Sequence, residues 1–101
     1  MANNFKGYET NGITTETVVY TGPANTQTTI IGMTLANTTG NATLASVIKN
    51  NTYLVKDAPI PSGGSLVIVG GDQKVVIEPN DIVKVSADNA VDVIISTLEI
   101  V

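Results

Sequence analysis

The chain has no cysteine and no histidine. Without cysteine, neither a disulfide framework nor a thiolate metal site can form. Without histidine, the usual general base, the neutral-range pH switch and the commonest metal ligand are lost together. Arginine is also missing, so the five cations are lysines, scattered from Lys6 to Lys84. The net charge is −4 and the pI is near 4.4. Binding to a phosphate backbone needs clustered cations, so nucleic acid is not expected as a partner. Anionic membrane surfaces are disfavoured on the same ground. No run approaches the ~20 apolar residues of a bilayer span. Residues 1–20 hold no apolar stretch of the kind a secretory signal carries. The expectation is a chain made in a cytoplasm, reaching any outside location only as part of something larger.

What is present is β-forming. A length of 101 residues suits one domain with a single core. Apolar residues make up 43%, enough Val, Ile and Leu to offset chain entropy, while charged residues are only 14%. Threonine and asparagine fill the gap, giving a polar but weakly charged surface. The stretch Tyr20 to Asn37 organises the reading: a strand end, a Gly22-Pro23 turn, and a strand whose Ile31, Met33 and Leu35 are expected to share one face. Strands are predicted over residues 14–21, 28–37, 42–49, 52–56, 65–69, 74–78, 82–87 and 91–101, with turn formers between them. Asn50-Asn51 suits a tight turn because asparagine tolerates positive φ. The connector at 57–64 holds two prolines and two glycines, which exclude a central strand. Residues 65–69, SLVIV, form a short strand without alternation, apolar from Leu66 on, so both faces are expected to be covered. The last strand has Val91, Val93 and Ile95 on one side and Ile94, Leu98 and Ile100 on the other. Such a strand is either central or meets another subunit. Residues 1–13 lack periodicity and read as an N-terminal arm, followed by a sandwich domain over 14–101. About eight short strands at this spacing predict an all-β, single-domain antiparallel β-sandwich of jelly-roll type.

The search for chemistry finds little. Asp81, Asp88 and Asp92 could gather oxygen ligands, but Asp88 to Asp92 lacks the glycine and terminal glutamate of a calcium loop. Glu78 and Asp81 flank a turn, as Asp57 and Asp72 flank others, and so small a sandwich leaves little room for a glycosidase cleft. The glycine pairs Gly63-Gly64 and Gly70-Gly71 lack the lysine and following helix of a phosphate loop. Asn37, Asn41 and Asn50 match the glycan acceptor pattern, as an Asn/Thr-rich chain does by chance. The expectation is no enzyme, with no catalytic residue, metal or cofactor.

One family carries the same blocks in the same order. Tyr20-Thr21-Gly22-Pro23-Ala24-Asn25 leads to Leu35-Ala36-Asn37-Thr38. Lys56-Asp57-Ala58-Pro59-Ile60-Pro61-Ser62-Gly63-Gly64-Ser65-Leu66 follows, then Lys74-Val75-Val76-Ile77-Glu78-Pro79-Asn80-Asp81, Val85-Ser86-Ala87 and Ser96-Thr97-Leu98-Glu99-Ile100. Across residues 18–101 the chain resembles small virion structural proteins of tailed bacteriophages. Two positions depart from the pattern: Gly22 stands where a β-branched residue is common, and Pro79-Asn80-Asp81 where a glycine-aspartate turn is common. The resemblance implies a virion location and a capsid decoration, or cement, protein bound between capsomers. Its partners would be the major capsid protein or other virion proteins and further copies of itself, with a trimer favoured. A neck, tail or baseplate component is the alternative, and a carbohydrate-binding or adhesive module a further one. The arm residues Phe5 and Tyr8, with Ile94, Leu98 and Ile100 of the last strand, are the candidate interface residues.

Overall fold

Alternation of apolar and polar side chains, turned over by short Asn-, Gly- and Pro-containing loops, builds nine strands among the described residues. The computed structural model describes residues 3–70 and 73–101. The strands are β1 (Asn3–Ile13), β2 (Thr17–Thr21), β3 (Gln27–Asn37), β4 (Thr43–Lys49), β5 (Thr52–Ile60), β6 (Ser65–Val69), β7 (Val75–Ile77), β8 (Ile82–Ala87) and β9 (Val91–Ile100). One sheet runs β1-β9-β3-β6, with β7 also on β3; the other runs β2-β8-β4-β5. Every pairing is antiparallel; β1 with β9, β2 with β8, β3 with β6 and β7, and β4 with β5 are nested, while β3 with β9 and β4 with β8 join these pairs side by side into the two sheets. That is a long hairpin, bent at the β4–β5 turn and rolled into two layers, as in a jelly roll. Asn50, at φ 55, makes the turn, as its tolerance of positive φ led us to expect. The core lies between the layers and includes Ile30, Met33, Leu35, Val47, Ile60, Val83, Val85, Val93 and Ile95.

Several elements differ from the sequence reading. Residues 3–13, expected as an arm, form edge strand β1, in register with β9 from Asn3↔Ile100 to Thr10↔Val93. An edge strand with one wet face needs few apolar residues, so it shows little periodicity. In β3 an irregularity between Ile30 and Gly32 inserts one residue against β9 and resets the alternation. Ile30 is therefore fully buried with Met33 and Leu35, while Ile31 is only partly so. β5 runs on through Pro59 to Ile60, which a sheet tolerates because β5 is an edge strand with a partner on one side only. It bulges at Asp57, φ 51, whose N–H donates to Ser46 Oγ at 2.9 Å. β6 is also an edge, and its Val67 faces solvent rather than a second layer. The turn expected at Gly70-Gly71-Asp72 falls, at Gly71 and Asp72, outside the described residues.

Gly22 and the Pro79-Asn80-Asp81 turn meet in space. Gly22 N–H donates to the Asp81 carbonyl at 2.8 Å, and Asn80 N–H donates to the Gly22 carbonyl at 2.9 Å. A Cβ on residue 22 would stand 2.3 Å from the Glu78 carbonyl oxygen. With this turn against it, position 22 has no room for a side chain.

Candidate functional site

Exposed large apolar side chains occur on both sheets, with Val18, Leu44 and Tyr53 on the four-stranded one, and the most exposed within strands are on the outer face of the five-stranded sheet. Residues directly opposite across an antiparallel ladder share a face. Phe5 lies opposite Leu98, Leu98 opposite Thr29, and Thr29 opposite Val76. These four form a row across β1, β9, β3 and β7. A parallel row joins Glu9, Ile94, Thr34 and Val67 across β1, β9, β3 and β6. Between them runs a low strip of Gly7, Ser96 and Gly32. Phe5 is 75% exposed, Val67 64%, Val76 56% and Ile94 55%, with Leu98 and Ile100 half-buried beside them. Together they offer apolar area on the order of 400 Å², interrupted by Thr29 and Thr34, a size comparable to the largest patch on a typical single chain, which is often functional.

Of the five candidate interface residues, the fold brings Phe5, Ile94, Leu98 and Ile100 onto this face. Tyr8 turns the other way. Its ring lies edge-on to Tyr20, centroids 5.1 Å apart, and packs against the core. Val67 was missed because residues 65–69 read as covered on both faces, and Val76 because nothing local marks which face of β7 is left open.

The chemically richest cluster lies on the inner side of the same sheet. Glu99 is only 3% exposed, on the inward row of β9 after Val91, Val93, Ile95 and Thr97. Its Oε2 accepts the Tyr8 hydroxyl and, at 2.9 Å, the Tyr20 hydroxyl. Since Tyr20 has one proton to give, Thr28 Oγ1 donates to the Tyr20 oxygen at 2.9 Å. Thr97 Oγ1 is 3.4 Å from Oε2, and Lys6 Nζ is 3.7 Å from Oε1. Burial pushes the Glu99 carboxyl up, but the hydroxyl donors and Lys6 outweigh it and hold it below the usual carboxylate range. Burial, then Glu99, raises Tyr8 well above a free tyrosine; burial and Glu99, against Thr28, push Tyr20 up to about 12. The arrangement is therefore an ionised acid held by two protonated tyrosines. The signal for it was present in the sequence: an acid at the inward parity of an apolar strand.

The remaining candidates are spread apart. Asp81 and Asp88 sit at opposite ends of β8. Asp81 accepts from Glu78 N–H at 2.9 Å and pairs with Lys49 at 3.3 Å, while Asp92 accepts from Gly12 N–H at 2.9 Å. Among the described residues no three acids gather and no pocket is present. Asn37, one of the glycan acceptor matches, is 3% exposed. Its Nδ2 donates to the carbonyls of Asn41, Ile60 and Pro61, and its Oδ1 accepts from Thr39 N–H, so it ties three chain segments and cannot carry a sugar in the folded state. Compared with known proteins, no family model, no curated protein and no solved structure matches this chain.

Proposed function

We propose that this protein is a non-enzymatic structural component of a virus particle, acting as a capsid decoration protein that clamps neighbouring capsomers. The observation that carries the docking role is the exposed row of Phe5, Leu98 and Val76 with Ile94 and Val67 beside it. Apolar area of this size on a flat sheet is stabilised by being covered. The virion setting rests on the resemblance of residues 18–101 to bacteriophage structural proteins. The partners are the major capsid protein and further copies of the chain, grouped as trimers at threefold positions. A protein that binds the assembled shell and not its free subunits stabilises the shell by mass action, without any chemistry of its own. The exposed aromatics Phe5 and Tyr53 sit on different sheets, which argues against a stacking platform for sugars.

Quantifying copies per purified particle, and locating the chain by electron microscopy, tests this. A copy number matching the shell's symmetry sites supports the decoration role. A few copies at one vertex would move the protein to the neck, tail or baseplate. Absence from purified particles would refute the virion reading altogether.

A further inference from the structure

Strand β1 is attached to the sandwich unevenly. From Asn3 to Gly7 every residue is exposed, and up to Thr10 the one aromatic or aliphatic side chain packed on the core is Tyr8. Beyond Thr10 the register to β9 breaks, Gly12 takes φ +66, and the buried Ile13 anchors the chain opposite Val91. Residues 3–10 are thus held by a backbone ladder and one polar knot, next to a glycine able to act as a hinge.

We propose that the Tyr8–Glu99–Tyr20 knot is an acid-released clasp: with Glu99 ionised, residues 3–10 lie on β9, and with it protonated they detach about Gly12 while the rest of the sandwich stays folded. The groups facing Glu99 divide between strand and body. Tyr8 and Lys6 come from β1; Tyr20 from β2, Thr28 behind it on β3, and Thr97 on β9 belong to the body. An ionised carboxylate oxygen accepts both tyrosine protons; once protonated it has less acceptor capacity, and Lys6 loses its counter-charge. Tyr20 keeps Thr28 as a neighbour, so the loss falls on Tyr8 and Lys6, the two side chains that tie β1 to Glu99, leaving the strand its backbone ladder and the Thr97 hydroxyl on the Lys6 carbonyl. Both tyrosine hydroxyls are held above their ordinary value and keep their protons in acid, so within the knot the change of charge falls on Glu99. That point lies below the ordinary carboxylate range, because the donors hold the carboxyl down. Release uncovers the backbone edge of β9 from Val93 to Ile100, which an extended segment can occupy.

Amide hydrogen exchange on the full chain, corrected for the intrinsic effect of pH, reads the clasp directly. Peptides covering residues 3–10 should lose protection as the pH falls below the carboxylate range, while those of β3, β4 and β8 keep theirs. Tyr8→Phe retains the ring and removes the donor; at neutral pH it should raise exchange in residues 3–10 by about ten- to a hundredfold and flatten its pH dependence. Simultaneous loss of protection in β1 and the core on acidification overturns the proposal. So does a folded Tyr8→Phe variant with β1 exchange and pH dependence like the parent. Should that variant not fold, the acid series on the unaltered chain decides alone.

Discussion

Replacing Gly22 with alanine adds one carbon at the tightest point of the fold. On the existing backbone that Cβ would lie 2.3 Å from the Glu78 carbonyl oxygen and 3.1 Å from Ile77 Cγ2. Non-bonded heavy atoms settle at about 3.5 Å, so the Glu78 backbone must retreat by roughly 1 Å. It is not free to do so, because the Gly22–Asp81 and Asn80–Gly22 backbone hydrogen bonds stitch the strand end to the turn. Overpacking with backbone displacement costs about 2–3 kcal/mol, which in a domain of this size lowers Tm by on the order of 10–20 °C. Gly32→Ala is the internal control. Its Cβ would meet nothing closer than Ser96 Cβ at 3.9 Å, an ordinary contact, and alanine removes the entropic cost of glycine in a strand. That variant should be neutral or more stable by up to ~1 kcal/mol. Thermal and urea unfolding followed by circular dichroism measures both. Equal Tm values for the two variants would refute the reasoning, since only the 2.3 Å approach separates them. Joining Gly22→Val to a glycine-aspartate replacement of Pro79-Asn80-Asp81 should recover stability that Gly22→Val alone loses.

Asn37→Ala strips hydrogen-bond partners from the Thr39 N–H and the carbonyls of Asn41, Ile60 and Pro61, and should cost about 2–4 kcal/mol in urea unfolding. Phe5→Ser should leave Tm within a few degrees, because the ring is mostly in solvent, yet weaken attachment to particles by ~2 kcal/mol, about thirtyfold in Kd by co-sedimentation. Stability against pH should follow the knot. Glu99 has its folded pKa lowered, so its contribution is complete above the unfolded value, about 4.3, and disappears as pH falls through the folded one. The tyrosines have theirs raised, so their contribution is complete below about pH 10 and is lost as pH rises, through about 12 for Tyr20. Urea midpoints across the pH range should therefore form a plateau with an acid and an alkaline fall, and Glu99→Gln should flatten the acid fall.

Much of the architecture was legible residue by residue because a strand's facing repeats every two positions, a local rule. Val83, Val85 and Ala87 against Lys84 and Ser86, the Asn50 turn, the bounds of β6 and β8, and the two sides of β9 all follow from it. So does the all-β class, since a run of short amphipathic strands covers its apolar sides by packing sheet against sheet. Local rules say nothing about which strand lies beside which. Only the rolled-up pairing turns residues 3–13 into an edge strand and sets Phe5 beside Leu98. The same pairing places Tyr8 on Glu99, 91 positions along the chain, and presses the Glu78 carbonyl against Gly22. The bulge at Ile31 belongs to the same class, because an extra residue is defined only against a partner strand. Amino-acid order determined what each strand could bury; contacts between distant strands decided which apolar face was left open and where the buried Glu99 found its donors.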